Sequence, residues 1–300
     1  MNIYENLVTF KQPSAVALGY FDGIHIGHRK VISQTAGQGQ FGLTPLVFTF
    51  TERPYAVLSN KESEYLITRQ DKTKILDELN ISVIYYIDFK IIKNLTAEEF
   101  TKQILFKVLN AKKIFCGNNH RFGKGGIGNV NFLETFGQRF GMEVCAVPSV
   151  DFNGEQVSSS NIRELIKNGC IEEANRLLFK PFGFEGIVIQ GNNLGKKMNI
   201  PTMNQQIPEA FTQIKFGVYA SVSSLRGVTY KSITNVGQKP TVGNYLPLCE
   251  TLLLDYTGSD FYGESVDLRL THFLREEKKF GSLQALQTAI NKDIQVRKHI

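Results

Sequence analysis

The residues best suited to phosphate chemistry lie between positions 19 and 28, which read Gly19-Tyr20-Phe21-Asp22-Gly23-Ile24-His25-Ile26-Gly27-His28. The three glycines of this segment let the backbone approach a ligand closely. His25 and His28 are three residues apart, so both imidazoles can reach the same phosphate chain. An imidazole donates hydrogen bonds to phosphate oxygens and, when protonated, offsets charge that develops on a leaving pyrophosphate. The segment therefore predicts a polyphosphate site. The alternative is a helix start with two surface histidines, and a zinc site is not favoured because no further ligands follow at the usual spacing.

A second glycine-rich segment, residues 116–128, is also basic. Asn119 could hold a base or a ribose there, while Arg121 and Lys124 supply positive charge. Taken alone, this segment could equally be a flexible turn.

A third segment places three successive serines, Ser158, Ser159 and Ser160, at a predicted helix start. Arg163 falls in the first turn of that helix, so hydroxyls, helix dipole and guanidinium would converge on a bound anion. An ordinary serine cap followed by a solvated arginine is the alternative.

The fourth candidate site lies late in the chain, where a glycine loop containing Gly195 leads into Pro201-Thr202-Met203-Asn204. Thr202 and Asn204 are two residues apart in an extended segment and so point to the same side. A hydroxyl and an amide oxygen placed in this way suit Mg²⁺ and an ATP phosphate. A carboxylate that could act as a general base, Glu250, follows later in the chain.

The elements that would carry these groups change in type along the chain. Up to about residue 180, buried strand-like runs alternate with helical spacing, which predicts a Rossmann-like α/β domain over residues 1–180. After Pro181, short strands and turns predict a small antiparallel β-barrel over residues 181–300, closed by a helix from Ser282 to about Ile294. The predicted strands of the first domain are 14–19, 45–50, 82–87 and 113–116, and its predicted helices are 27–34, 71–79 and 98–109.

Composition limits the class of protein. A chain of 300 residues, 42% of them hydrophobic, is long enough for two cores, and it has no apolar run of membrane-spanning length and no basic-then-apolar N-terminus. We therefore expect a cytoplasmic protein without a membrane partner. The four cysteines are scattered, which predicts reduced thiols. The net charge of +6 is spread along the chain, which suits small polyanions and does not indicate a nucleic-acid partner. The oligomeric state is left open.

In their order, the motifs G-x-F-D-G-x-H-x-G-H at 19–28, G-x-N/D-x-x-F-G at 117–123 and S-S-T/S-x-I-R at 158–163 resemble the FMN adenylyltransferase module of prokaryotic FAD synthetases, in the H-x-G-H nucleotidyl transferase superfamily. The resemblance implies adenylyl transfer from MgATP to the FMN phosphate. It implies that His25 and His28 hold ATP phosphates, that Ser159, Ser160 and Arg163 hold the far phosphates, and that Asn119 lies near the adenosine or metal. The same nucleotide site is predicted to include Gly19, Phe21, Asp22 and Gly23.

Residues 182–296 resemble the riboflavin kinase barrel of bifunctional FAD synthetases. In that family a P-T-A-N motif binds MgATP and a glutamate deprotonates the ribityl hydroxyl. By resemblance, Thr202 and Asn204 are the metal and ATP ligands, Gly195 lies in the nucleotide-binding loop and Glu250 is the base. Riboflavin, FMN and FAD are then substrates and products.

Four positions depart from the family pattern: Gly126 stands in place of a frequent arginine, Asn199 in place of glycine, Met203 in place of a small residue and Leu252 in place of histidine. Met203 is expected to add bulk beside the phosphates and to weaken the kinase. Two alternatives to a bifunctional enzyme remain. One is a monofunctional FMN adenylyltransferase with an inactive or flavin-sensing barrel, and the other is a flavin-responsive regulator that makes neither product.

Overall fold

The computed structural model describes residues 1–60, 64–190, 202–238 and 247–300. The chain divides into two compact units. The first comprises Met1–Ser63 with Arg69–Ser159, and the second comprises Glu64–Thr68 with Ser160–Ile300. This division describes compact units and does not test the predicted boundary between the two functional domains near residue 181, which stays a prediction.

The first unit is built on six parallel strands in the order β1-β4-β3-β2-β5-β6. All five residues of the central strand β2 are buried, as expected for a parallel strand covered on both faces. The strands are β1 (Asn2–Tyr4), β2 (Ser14–Leu18), β3 (Thr44–Phe50), β4 (Val83–Ile87), β5 (Ala111–Gly117) and β6 (Glu143–Val147). The four predicted strands of this region are confirmed to within about two residues, and β1 and β6 were not predicted.

The strand order fixes where this sheet can bind a ligand. From β2 the chain builds outward through β3 and β4 on one side, and it then crosses to place β5 and β6 on the other side. The carboxyl ends of β2 and β5 therefore flank the point where the order reverses, which is where open parallel sheets bind ligands. Residues 19–28 follow β2 and residues 117–123 follow β5, so the topology brings the first two motifs to one place.

The structure confirms the helices predicted over 27–34 and 71–79 as α1 (Ile26–Ala36) and α3 (Arg69–Glu78). The other helices of the first unit are α2 (Pro54–Ser59), α4 (Phe89–Ile92), α5 (Ala97–Glu99) and α6 (Val130–Gly137), of which α2, α4 and α6 were not predicted. The helix expected over 98–109 is instead α5, started by a Thr96/Glu99 capping box, and a π-helical segment, Phe100–Val108. Helical spacing alone does not distinguish these two helix types over two turns. A small hairpin, β7 (Asp151–Phe152) and β8 (Glu155–Gln156), precedes the end of the unit.

The second unit is a closed antiparallel barrel in the order β10-β13-β12-β11-β14-β9. Its strands are β9 (Gly183–Ile189), β10 (Thr202–Gln206), β11 (Gly217–Leu225), β12 (Val228–Gln238), β13 (Pro247–Leu253) and β14 (Ser265–Arg275), and its last helix is α9 (Leu283–His299). This architecture confirms the predicted barrel with a C-terminal helix. Two shorter helices, α7 (Ser159–Lys167) and α8 (Ile171–Leu177), precede the barrel. The Asn175 side chain of α8 donates to the Leu270 carbonyl and accepts from the Phe182 amide, both at 2.8 Å.

Part of the barrel interior is polar. Five fully buried hydroxyl residues form a connected hydrogen-bonded set, Ser221, Ser223, Ser232, Thr234 and Thr251. Arg297 of α9, itself buried, donates to the Ser221 and Ser232 carbonyls and so anchors the last helix to β11 and β12. Each buried hydroxyl has a partner, so the interior does not incur the desolvation penalty of unpaired polar groups.

Within the ranges that the structure describes, none of the helices combines the length and the apolar character that crossing a bilayer requires.

Candidate active sites

The turn after β2 is held in an unusual backbone conformation. Phe21 and Ile24 have positive φ angles of 54° and 42°, and Gly23 has a φ of 80°. The Phe21 ring is buried and folds back over Gly19, where a Cβ atom would lie only 2.8 Å from Cζ of that ring. Left-handed conformations at bulky residues are costly and persist only where the surroundings enforce them. The first motif therefore forms a turn in a fixed left-handed conformation. Residue 19 is glycine because the Phe21 ring occupies the space that a side chain would need.

The two histidines of the motif form a stacked pair. Their ring centroids are 3.6 Å apart with an interplanar angle of 21°. His25 is the N-cap of α1, and its Nδ1 accepts a hydrogen bond from the His28 amide at 3.3 Å. Because Nδ1 is an acceptor, the proton of neutral His25 resides on Nε2. His25 can therefore donate from Nε2 to a phosphate oxygen while its other nitrogen is fixed by the helix start.

Burial favours the neutral form of both imidazoles. Burial, assisted by Arg29, lowers the pKa of His25 to about 4. Burial lowers the pKa of His28 well below its usual value, and the charges of His25 and Lys72 act in the same direction. The expectation that a protonated imidazole offsets the charge of the leaving pyrophosphate stays a prediction. In the neutral form each imidazole still has one N–H group that can donate to a phosphate oxygen.

A cavity of about 330 Å³, the polar cavity, opens beside this pair, and its lining mixes polar and apolar groups. Six of the predicted site residues line it: Gly19, Phe21, His25, His28, Asn119 and Ser159. The Ser159 hydroxyl donates to the Asp22 carbonyl at 3.0 Å, which ties the third motif to the turn. Asp22 and Gly23 are buried within the turn and are not among the residues that line the cavity in the described part of the chain. Their contact with a nucleotide stays a prediction.

Two of the predicted phosphate-binding residues of the third motif belong to the second compact unit. Ser160 and Arg163 lie on α7 and group with the barrel, and Arg163 is only 5% exposed. The proposed contacts of both residues with the far phosphates of ATP stay predictions.

A second cavity of the first unit, about 220 Å³ in volume, is mainly apolar. Its phenylalanine side chains come from four separate elements and loops: Phe48, Phe50, Phe89, Phe100 and Phe122. It shares Leu18, Gly19 and His120 with the polar cavity, so the two cavities adjoin. Gly126, at its edge, has a φ of 65°, a conformation that a side chain adopts only with strain. The departure from arginine at this position is thus accompanied by a backbone suited to glycine.

His120 is a site residue that the sequence did not single out. It stacks on Phe122 with ring centroids 5.9 Å apart and an interplanar angle of 16°, and it lines both cavities. Burial lowers its pKa to about 4, and its Nε2 has no hydrogen-bond partner among the described residues. Its position inside the second motif could have marked His120 as a candidate site residue. That it lines both cavities follows only from the fold.

In the barrel, the predicted kinase residues meet on two neighbouring strands. The register pairs Thr202 with Leu252 and Asn204 with Glu250, so Thr202, Asn204 and Glu250 share one face. The Thr202 hydroxyl donates to Oε1 of Glu250 at 2.9 Å. Gly195 and Asn199 lie outside the described residues.

Met203 does not lie on that face. Strand alternation turns it to the other side, where it is 3% exposed and packs in the barrel core with Val188, Leu253 and Val266. This placement does not show where the ATP phosphates lie, so the expectation that Met203 adds bulk beside them stays a prediction.

Two cavities adjoin at Thr202 in the barrel unit. The larger, about 290 Å³, has a lining that combines apolar residues such as Leu252 and Phe280 with polar residues such as Glu250. Its Arg275 and Asp293 form an ion pair, with Nη2 and Oδ2 2.8 Å apart, that links β14 to α9. The smaller cavity, about 90 Å³, includes Met203 and the aromatic residues Tyr256, Phe261 and Tyr262. The sequence did not predict either cavity. The leucine at position 252, where the family commonly has histidine, forms part of the apolar lining of the larger cavity.

Among the residues that the structure describes, no group of three or more His, Cys, Asp or Glu side chains is placed to hold a metal ion. A divalent ion in the barrel would instead depend on the neutral oxygen donors of Thr202 and Asn204. Hydroxyl and amide oxygens are hard donors of the type that Mg²⁺ takes together with substrate phosphates, so the residues present fit that ion.

Comparisons with known proteins cover both units. The family model described as FAD synthetase matches residues 8–161, and the one described as riboflavin kinase matches residues 178–300. The bifunctional riboflavin kinase/FMN adenylyltransferase of Buchnera aphidicola subsp. Schizaphis graminum is 34% identical and aligns over 98% of this chain and 96% of its own length. The protein of the same name from Bacillus subtilis is also 34% identical, over 94% and 90% of the two chains. A crystal structure described as a macrolide-efflux protein from Streptococcus pneumoniae superposes with a TM-score of 0.89 and 27% identity, covering 99% and 98%.

Proposed function

This chain belongs to the family of bifunctional riboflavin kinase/FMN adenylyltransferases, and we propose that it makes FAD from riboflavin in two ATP-dependent steps. The barrel unit phosphorylates riboflavin to FMN. The first unit then transfers the adenylyl group of ATP to FMN and releases pyrophosphate.

The observation that carries the second step is the stacked His25/His28 pair in the polar cavity, which adjoins the aromatic cavity at Leu18, Gly19 and His120. The polar cavity suits the ATP phosphates, and the aromatic cavity suits the flat isoalloxazine ring of FMN. A phosphate oxygen of FMN attacks the α-phosphorus of ATP while the bond to the bridging oxygen breaks and pyrophosphate leaves. Because the nucleophile is already an anion, no protein base is required, and the N–H donors act by positioning and by stabilising charge.

In the barrel step the nucleophile is an alcohol, so a base is needed. Glu250 accepts the proton of the ribityl hydroxyl, whose oxygen attacks the γ-phosphorus of ATP as ADP leaves. The Thr202 hydroxyl, hydrogen-bonded to Oε1, fixes the orientation of this carboxylate. The larger cavity, which Glu250 lines, accommodates riboflavin, with its ring against the apolar residues.

Magnesium is part of this proposal. Thr202 and Asn204 would hold Mg²⁺ together with the ATP phosphates in the barrel. When bound, the ion neutralises phosphate charge and orients the transferred group.

The experiment that tests the proposal supplies the protein with MgATP and either riboflavin or FMN, and separates the flavins by chromatography. We expect FMN and then FAD from riboflavin, and FAD with pyrophosphate from FMN. A protein that converts only FMN is the monofunctional alternative. A protein that converts neither flavin is a binding protein or regulator, and the proposal then fails.

A further inference from the structure

A buried lysine lies against the strained turn of the first unit. Lys72 of α3 is 4% exposed, and its Nζ donates to the Tyr20 carbonyl at 2.8 Å. The same ammonium lies 4.1 Å from the centroid of the Tyr20 ring. The Thr49 hydroxyl donates to the same carbonyl at 3.1 Å. Two donors from two elements thus converge on the residue that immediately precedes the left-handed Phe21.

Burial of an ammonium group is costly unless the group is hydrogen-bonded and faces opposite charge. Here the carbonyl and the ring face satisfy Lys72 directly, and Asp22, buried in the same turn, supplies negative charge. A neutral aliphatic side chain would fill this position on α3 at a lower desolvation cost. The retained charge therefore indicates a role connected with the turn.

We propose that Lys72 is a positioning residue for adenylyl transfer. Its ammonium group holds the Tyr20 carbonyl, and with it the left-handed turn, so that His25 and His28 present fixed N–H groups to the nucleotide. Its charge also lies behind the imidazole pair. This inference rests on the proposed adenylyltransferase function.

The charged and titratable groups around this arrangement come from three elements. Asp22 of the turn and Arg69 of α3 act on Lys72, and Lys72 and His25 act on His28 at the start of α1. Burial lowers the pKa of Lys72 to about 8, with Arg69 acting in the same direction and Asp22 opposing it. A neutral amine still donates to the Tyr20 carbonyl but no longer carries charge. Its loss of charge should therefore appear as an alkaline limb in FAD synthesis, separate from any loss of structure.

The test measures kcat/KM for ATP in FAD synthesis from FMN between pH 6.5 and 9.5, in the full-length chain. Lys72→Met should lower kcat/KM by about 100-fold, because a displaced donor pair loses alignment with the phosphates. The same variant should lose the alkaline limb. Thr49→Val, which removes only the second hydrogen bond, should lower kcat/KM by about fivefold and leave the limb in place. The matched control is Lys74→Met, an exposed lysine of the same helix, which should be within about twofold of the parent.

Lys72→Arg keeps the positive charge but replaces the titrating amine. It also allows the proposal to be tested if Lys72→Met does not fold. A guanidinium group keeps its charge throughout this pH range, so the alkaline limb should move up by more than one pH unit. An alkaline limb that is unchanged in Lys72→Arg overturns the proposal. Folded Lys72→Met with parental kcat/KM also overturns it. If the parent itself makes no FAD from FMN, it is the adenylyltransferase function that fails.

Discussion

The two candidate active sites of this chain use the backbone in opposite ways. In the first unit the functional groups come from loops after β2 and β5, and positive φ angles at Phe21, Gly23 and Ile24 aim them. In the barrel, Thr202, Asn204 and Glu250 lie on two regular strands, and ordinary antiparallel register aims them. The difference matches the chemistry. An anionic nucleophile needs several N–H groups converging on phosphate, whereas an alcohol nucleophile needs one carboxylate held at a fixed point.

Removing the barrel carboxylate is expected to have the largest effect and tests whether the two sites use different groups. Glu250→Gln keeps the shape of the side chain but cannot accept the ribityl proton, so riboflavin phosphorylation should fall by about 10²–10⁴-fold. FAD synthesis from supplied FMN should not change. Glu264→Gln, which removes a surface carboxylate paired with Arg226 in the same unit, is the control and should leave both activities within about twofold of the parent. Phosphorylation that survives in Glu250→Gln would mean that another group is the base.

The converse change removes one imidazole. His28→Ala should lower FAD synthesis from FMN by about 100-fold, since an oriented donor to the phosphates is lost, while riboflavin phosphorylation continues. Lys30→Ala, at an exposed position of the same helix, should behave like the parent. The chromatographic assay with each flavin measures both activities in one preparation. Parental FAD formation by His28→Ala would show that the stacked pair is not the phosphate site.

The sequence predicted the features that depend on local pattern and missed those that are assembled from distant elements. Strands such as β2 and β3 follow from continuous apolar runs, and the glycine and histidine spacing of residues 19–28 predicted a turn at a strand end. Lys72, His120 and the aromatic cavity were missed because their roles arise from elements distant in sequence. Phe48, Phe89 and Phe122 each read as ordinary core residues until the fold places them around one space. The side to which Met203 points could have been derived, because it alternates with Thr202 and Asn204.

Met203→Ala tests the expectation that the bulk of Met203 weakens the kinase. Because its side chain packs in the barrel core, Met203→Ala should lower the free energy of unfolding of the barrel by about 2–5 kcal/mol without raising kinase turnover. Urea unfolding followed by circular dichroism, together with the riboflavin assay, measures both quantities. Leu283→Ala truncates an apolar side chain that is 58% exposed and should change stability by less than about 0.5 kcal/mol. Faster riboflavin phosphorylation in Met203→Ala would support the view that its bulk impedes the kinase.

The smallest expected effect at neutral pH concerns the buried imidazoles of the first unit. The folded-state pKa values of His25 and His120 are about 4, below the value of about 6.5 expected when the chain is unfolded. Between these values the unfolded chain binds more protons than the folded one, so the stability that these groups contribute is complete above pH 6.5 and is lost as the pH falls towards 4. Each histidine should add a slope of at most about 1.4 kcal/mol per pH unit in that window.

Urea unfolding of the parent and of His120→Gln at several pH values from 4.5 to 7.5 checks this expectation through the difference between the two slopes. Comparing slopes removes the contribution of carboxylates, which titrate alike in both proteins, and also any constant loss of stability from the substitution itself. His299→Gln changes an exposed histidine of α9 and should leave the slope unaltered. Equal slopes in the parent and His120→Gln would mean that the pKa of His120 in the folded protein lies close to its unfolded value of about 6.5. The junction of the two cavities would then gain positive charge as the pH falls through about 6.5, and the contrast between neutral donors in the first unit and a carboxylate in the barrel would hold only above that pH.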